Sequence, residues 1–299
     1  AGAKIEVKRS LRIEPDKQWL DVIDPISNTN SVDNNEISSE SNLNSRELNL
    51  SEQWPLVLAA LKELQIVNIL GASSLMGVVG LNDVDQYPHQ LRTVRKVLFE
   101  TGGRAILADE VGLGKTVEAG LILREYHLRG QMQALLILTP ASLTHQWQEE
   151  LGQKFELDLP VVQTTQDAMR FDRLIISLDL AKTSNFRNII ASRNWDMVIV
   201  DEAHKLKNSK TLNFQFVKGL TSRYMLLLTA TPIQNELLEL FNLVHLIAPG
   251  SLGTPNQFRK SYVHPVNKKL PQNERALRQR LSRYMIRNCR LETHLKLPP

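Results

Sequence analysis

Cysteine is almost absent from the 299 residues; the only one is Cys289. A single thiol excludes an intrachain disulfide framework and any zinc site built on cysteine pairs. Long apolar runs are also missing. Runs such as MVIV (197–200) and YMLLL (224–228) fall far short of the roughly 20 residues needed to span a bilayer. No signal peptide opens the chain, and no internal repeat is visible. These absences predict an intracellular, cytoplasmic protein with no membrane partner. The start at Ala1 and the stop at Pro299, straight after a basic stretch, read as the ends of an excised piece.

Acidic residues run out toward the C-terminus. The chain holds 36 Lys+Arg and 32 Asp+Glu, net +4, but the balance is uneven. Residues 1–86 carry 7 basic and 13 acidic side chains, 87–256 carry 18 and 17, and 257–299 carry 11 and 2. A basic tail on a near-neutral core suits a polyanionic partner, and a solvated basic helix explains the charge equally well. In that tail Leu277, Leu281 and Tyr284 predict one apolar helical face, and Arg280, Arg283 and Arg287 a basic stripe.

Residues 1–26 offer one candidate strand, Lys4–Val7. Residues 27–51 contain seven Asn and seven Ser, a composition that cannot offset the entropy of ordering, which predicts a flexible linker. Ser51 as N-cap and Pro55 in the first turn start a helix to about Leu70, within a helical lead-in spanning 52–86. From Tyr87 short apolar runs alternate with helical segments. The runs are 104–108, 135–139, 161–163, 174–177, 197–201 and 225–229; the helices are 90–100, 115–129, 142–154, 179–192, 209–219 and 235–246. Apolar strands alternating with helices predict an α/β fold with a parallel sheet covered on both faces. Ligands then belong at the carboxyl ends of the strands.

The first run ends in Ala-Asp-Glu-Val-Gly-Leu-Gly-Lys-Thr (108–116), followed by a helix. Gly112 and Gly114 allow backbone N–H groups to turn toward a phosphate. Lys115 can reach its terminal oxygens and Thr116 can ligate Mg²⁺. The first glycine of the strict phosphate-loop pattern is replaced by Asp109. Asp201 and Glu202 end another apolar strand. Adjacent carboxylates there are costly unless a cation sits beside them; Asp201 suits Mg²⁺ and Glu202 an attacking water. Two solvated acids at an exposed strand end are the alternative. His204 lacks a second His or Cys at metal-ligand spacing. Thr229, Ala230 and Thr231 close a third strand in hydroxyls that could relay nucleotide state or simply cap the next helix. Thr139, Pro140, Gln146 and Ser177 lie at two further strand ends and suit nucleic-acid phosphates. Trp147 reads as core before stacking platform.

These residues resemble the Snf2 family of superfamily 2, DEAH-box, helicase-like ATPases, over about 87–299. Residues 108–116 resemble motif I, 139–147 motif Ia, Ile176-Ser177 motif Ib, Asp201-Glu-Ala-His204 motif II, and 228–235 motif III with its extension. Pro88-His89-Gln90 resembles the segment whose glutamine reads adenine. Tyr-Pro-His-Gln, the 108–120 stretch and His145-Gln-Trp look most like the bacterial RapA-like and phage-defence branch, whereas Ile233-Gln-Asn, Leu240-Phe-Asn-Leu and Pro249-Gly look more like eukaryotic chromatin remodellers, which leaves the subfamily open.

The resemblance implies a P-loop, RecA-like first lobe over 87–256, and a basic segment, 257–299, leading to a second lobe with the arginine fingers. It implies ATP and Mg²⁺ as cofactors. Gln90, Asp109, Gly112, Leu113, Gly114, Lys115 and Thr116 would contact ATP, and Asp201 and Glu202 would join Lys115 in catalysis. His204, Thr229, Ala230 and Thr231 would couple nucleotide to motion. Implied partners are double-stranded DNA, gripped at Thr139, Pro140, Gln146, Ser177, Arg280, Arg283 and Arg287 with salt-sensitive affinity, and RNA polymerase or defence-system subunits in a nucleoid-associated setting. The expected function is a DNA translocase or remodeller; a strand-separating DNA or RNA helicase and a non-catalytic docking scaffold are the alternatives.

Overall fold

The computed structural model describes residues 75–78, 81 and 87–289, within the chain's unit Leu50–Pro299. The strand at 4–7, the linker at 27–51 and the helix ending near Leu70 lie outside the described residues. In chain order the elements are α1 (Pro88–Phe99), β1 (Arg104–Leu107), α2 (Lys115–Leu128), β2 (Leu135–Thr139), α3 (Thr144–Phe155), α4 (Thr165–Arg170), β3 (Arg173–Ser177), α5 (Leu178–Ala181), α6 (Ser184–Ala191), β4 (Asn194–Val200), α7 (Leu212–Lys218), β5 (Thr221–Leu228), α8 (Leu237–Ile247), α9 (Pro255–Tyr262), α10 (Glu274–Leu281) and β6 (Met285–Ile286). The six strands make one sheet in the order β3-β2-β4-β5-β1-β6. Every neighbouring pair is parallel.

Period-2 alternation divides each strand between two apolar layers. Ile106, Leu136, Leu138, Val198, Val200 and Leu227 face one side, against Phe186, Phe214, Phe216 and Leu240 of α6, α7 and α8. Leu107, Leu135, Ile137, Ile199 and Leu226 face the other, against Val94, Ile122, Trp147 and Phe155 of α1, α2 and α3. Each such side chain contributes about 1.5–3 kcal/mol on burial, which is why the strands read as continuous apolar runs. Arg104, at the start of β1, donates to the carbonyls of Leu246 at 3.1 Å and Ile247 at 2.6 Å. It thereby satisfies carbonyls that the end of α8 leaves open.

Helix starts follow local chemistry. The Thr211 and Thr254 hydroxyls accept the N–H of Phe214 and Gln257, and Gln257 returns the bond in a capping box behind Pro255. The predicted helix 179–192 is instead two, α5 and α6. The Thr183 hydroxyl donates to the Leu180 carbonyl at 2.7 Å, which draws the chain out of the helix between them.

Two other expectations are corrected. Residues 161–163 form no strand; Val161 makes a single parallel bridge to Ile175, because Pro160 precedes it and α4 follows at once. The tail is not one continuous helix. α10 stops at Leu281, and the chain then runs along β1, with Ile106 N–H donating to Tyr284 O and Ala108 N–H to Ile286 O, both at 2.8 Å. Arg280, Arg283 and Arg287 therefore sit on a helix end, a turn and a post-strand loop. All three are exposed, but they form no helical stripe. Among the described residues no helix is long and apolar enough to cross a membrane.

Candidate functional site

The carboxyl ends of β4, β5 and β1 stand side by side, since these strands are consecutive in the sheet. β1 leads into the glycine loop. Gly112 and Gly114 have φ of 87° and 84°, a region that side chains other than glycine enter at a cost of about 1–2 kcal/mol. Gly114 immediately precedes α2, and the Gln90 amide packs where its Cβ would stand. Lys115 opens α2 and folds back over the loop, its ammonium donating to the carbonyls of Asp109 at 2.9 Å and Glu110 at 3.3 Å. Gln90 is buried, donates to Leu113 O at 3.1 Å and leaves its own Oε1 unbonded. An unsatisfied buried amide oxygen is a fixed acceptor awaiting a donor. Thr116 is half-buried beside the loop.

Asp109 differs from the expectation of a nucleotide contact. Its side chain is wholly buried and turned toward Asn288 rather than into the loop. Beneath it, His89, Asp109 and Glu118 bring ring and carboxyl atoms within 4.8 Å of one another. Asn288 engages both Asp109 oxygens, and His89 Nε2 lies 3.2 Å from Leu113 O. Glu118 is wholly buried beside them, its carboxyl group against Thr93 and Asp109. Burial, and then the adjacent Asp109 carboxyl, push Glu118 well above the usual carboxylate range and favour its neutral form.

At the end of β4, Asp201 Oδ2 accepts the indole N–H of Trp147 at 2.9 Å and the Thr139 hydroxyl at 3.3 Å, while Oδ1 accepts the Glu202 N–H at 2.8 Å. That last bond closes a turn that puts Glu202 at φ 49°, a strained conformation of the kind that gathers at functional sites. Glu202 Oε2 lies 2.8 Å from His204 Nδ1. At the end of β5, Thr229 is buried and its hydroxyl accepts the Thr231 N–H at 3.2 Å. Thr231 in turn accepts the Gln234 amide at 3.3 Å, and Ala230 lies half-buried between the two threonines.

The residues assigned to nucleic acid part company. Thr139 turns inward to Asp201 and belongs with the carboxylates. The Ser177 hydroxyl accepts the Leu180 N–H at 3.2 Å and caps α5. Pro140 precedes a single 3₁₀ turn, and Gln146 is exposed on α3, donating to Glu150. Sequence reasoning missed three contributors. Trp147 reads as core yet holds Asp201; its buried indole N–H required a partner, which is the signal. Asn288 is not legible without the fold. Glu239 accepts the backbone N–H groups of Gln234 and Asn235 and lies 3.5 Å from the buried Lys207 ammonium, tying the segment after β5 to the one after β4.

A phosphate-type loop, a carboxylate pair and a hydroxyl cluster on three neighbouring parallel strands describe the lobe of a helicase-like ATPase. The chain belongs to the SNF2-related family: the profile of the SNF2-related domain matches residues 81–299. It is 50% identical over 210 residues to the Bacillus subtilis (strain 168) protein called uncharacterized ATP-dependent helicase YqhH, covering 70% of this chain and 37% of that one. It is 37% identical over 186 residues to the RNA polymerase-associated protein RapA of Actinobacillus pleuropneumoniae serotype 3 (strain JL03), covering 54% and 19%. The chain thus spans well under half the length of these relatives. The fold matches the SWI2/SNF2 ATPase core of Sulfolobus solfataricus solved with dsDNA, with a TM-score of 0.65, 22% identity, and coverage of 74% of this chain and 48% of that one.

Proposed function

We propose that this chain supplies the ATP-binding lobe of a Snf2-like motor that translocates along or remodels double-stranded DNA, over about 87–256. The observation that carries it is that Lys115, Thr229 and Asp201 follow the carboxyl ends of β1, β5 and β4, which are neighbours in the sheet. The residues fit a nucleotide: glycines free of Cβ at the loop, a lysine seated on it and an unbonded buried amide oxygen at Gln90. Lys115 would exchange its carbonyl partners for phosphate oxygens, and Gln90 would accept from the base. Glu202 would take up the proton of the attacking water. Thr116 and Asp201 would hold Mg²⁺, which when bound neutralises phosphate charge. His204 and the Thr229–Thr231 bond would pass the state of Glu202 and the strand end toward Gln234 and Glu239.

Arg280, Arg283 and Arg287 give the lobe an exposed basic edge suited to the DNA backbone. Segment 257–299 would lead to a second lobe carrying transition-state arginines, so the 299 residues alone would hydrolyse ATP slowly. The likeness to RapA supports a bacterial setting alongside RNA polymerase.

The test is ATP turnover by the intact protein with and without duplex DNA, beside Lys115→Ala. Turnover stimulated by DNA and nucleotide binding lost in Lys115→Ala are expected. Triplex displacement without strand displacement separates translocation from unwinding. Unchanged nucleotide binding in Lys115→Ala overturns the assignment.

A further inference from the structure

The two carboxyl oxygens of the wholly buried Asp109 are held by one residue 179 positions further along the chain. The backbone N–H of Asn288 donates to Oδ1 at 2.8 Å, and its side-chain amide donates to Oδ2 at 2.9 Å. The same amide donates to Thr93 Oγ1 on α1 at 3.1 Å. The Glu110 N–H donates back to the Asn288 carbonyl at 3.3 Å. One asparagine thus joins residues 109–110, helix α1 and the end of β6. An amide suits the position, since it offers two donors without burying a second charge beside a carboxyl group.

Asp109 and Glu110 are the residues whose carbonyls seat the Lys115 ammonium. Their place along the sheet edge is set from β6, because Ala108 N–H is bonded to Ile286 O two residues before Asn288. A displacement of Asn288 therefore displaces the seat of the lysine. Asn288 and Thr93 also line an open cavity of about 360 Å³, so a change at 288 does not force a closed core to repack.

We propose that Asn288 is a positioning residue for the phosphate loop: it holds 109–110 where Lys115 can reach a nucleotide, and it ties that loop to the polypeptide that follows β6. The proposal rests on the reading of 108–116 as the nucleotide site. In a motor, the segment leaving the lobe then reports its position to the loop through two side chains.

The test uses the intact protein and Asn288→Asp, Asn288→Ala and the exchange Asp109→Asn with Asn288→Asp. Binding of a fluorescent ATP analogue with Mg²⁺, steady-state KM and kcat, and nucleotide-free melting are measured. A carboxylate introduced at 288 faces Asp109, so Asn288→Asp weakens nucleotide affinity and raises KM about tenfold or more, with kcat changing less. Asn288→Ala keeps the backbone bond to Oδ1 and costs about threefold. The exchange restores one amide–carboxyl pair and brings affinity back to within about threefold of wild type.

Lower melting with unchanged affinity and KM in Asn288→Asp, or an exchange no better than Asn288→Asp alone, overturns the proposal. Should Asn288→Asp fail to fold, Asn288→Ala and the exchange decide on the same criteria. The two failures separate cleanly: a wild type without nucleotide affinity, or a Lys115→Ala variant that still binds, defeats the nucleotide site itself. Silent Asn288 variants in a protein where Lys115→Ala has lost binding defeat only this link.

Discussion

The indole Nε1 of Trp147 donates a 2.9 Å hydrogen bond to Oδ2 of Asp201, from a helix that begins five residues after β2 to the carboxylate that ends β4. A buried tryptophan thereby aims a carboxylate whose other oxygen is bonded to the next backbone amide. Trp147→Phe keeps an aromatic ring but deletes the donor together with the pyrrole half of the indole, which leaves a small cavity at a buried position. Loss of such an outer partner costs about 10–100-fold in metal affinity or activity. We expect the Mg²⁺ concentration for half-maximal ATP turnover to rise by about tenfold in Trp147→Phe, read by Mg²⁺ titration. Stability should fall by about 2–4 kcal/mol for the cavity and the lost bond together, read by urea denaturation. An unshifted Mg²⁺ dependence would show that Trp147 only fills the core.

Glu202 pairs with His204 from a backbone conformation that few non-glycine residues adopt. Glu202→Gln preserves shape and removes the carboxylate proposed as the base. ATP turnover should drop by about 10²–10⁴-fold while nucleotide affinity holds. His204→Ala should cost less, since Glu202 keeps its carboxylate. Single-turnover hydrolysis beside equilibrium binding distinguishes the two, and equal losses of affinity and turnover in Glu202→Gln would contradict the assignment.

Gly120 sits in the middle of α2, where a Cβ would run into the ring of Phe155, itself 1% exposed. Alanine gains about 1 kcal/mol of helix propensity. Overpacking a closed core costs about 1–3 kcal/mol, and the Phe155 ring has nowhere to turn. Gly120→Ala should therefore lower the urea midpoint at unchanged m-value. A raised midpoint would mean that α3 can retreat from α2.

Burial alone would raise the Glu239 carboxyl, but the N–H groups of Gln234 and Asn235, then Lys207, outweigh it and hold the group below the usual range. Its bonds stabilise the fold fully above its unfolded value, about 4.3. That contribution is lost as pH falls through the lower folded value. Wild-type stability should drop with acidity below about pH 4.5, more steeply than that of Glu239→Gln. Urea denaturation from pH 5 to 3 compares the slopes, and parallel slopes would remove Glu239 from the acid transition.

The apolar runs announced five strands, and Lys115 as the first residue of its helix, because a parallel sheet covered on both faces leaves its strands no polar positions. The sixth strand escaped. Met285 and Ile286 are two residues in a basic tail, and only the open edge of β1 makes them a strand. Thr139 shows the limit at the site: its chemistry fits a phosphate contact, but its direction is set by β2 lying beside β4, which spacing does not encode. Asn288 and Asp109 meet for the same reason. Their pairing belongs to the sheet order, while the loop glycines carry their meaning locally.

The place of β1 in the sheet also governs when this protein takes shape. Arg104 is registered with Met225, 121 residues later, and among the described residues β1 pairs with no earlier strand. A ribosome adding about 5–20 residues per second leaves β1 unpaired for roughly 6–24 seconds. Throughout that interval the phosphate loop hangs from a strand without a neighbour, while β2, β3 and β4 can already assemble. The loop at 108–116, the proposed nucleotide cradle, is then among the last parts of the lobe to form during synthesis. On the proposed nucleotide role, a newborn chain would gain its affinity only when the sheet around β1 has closed.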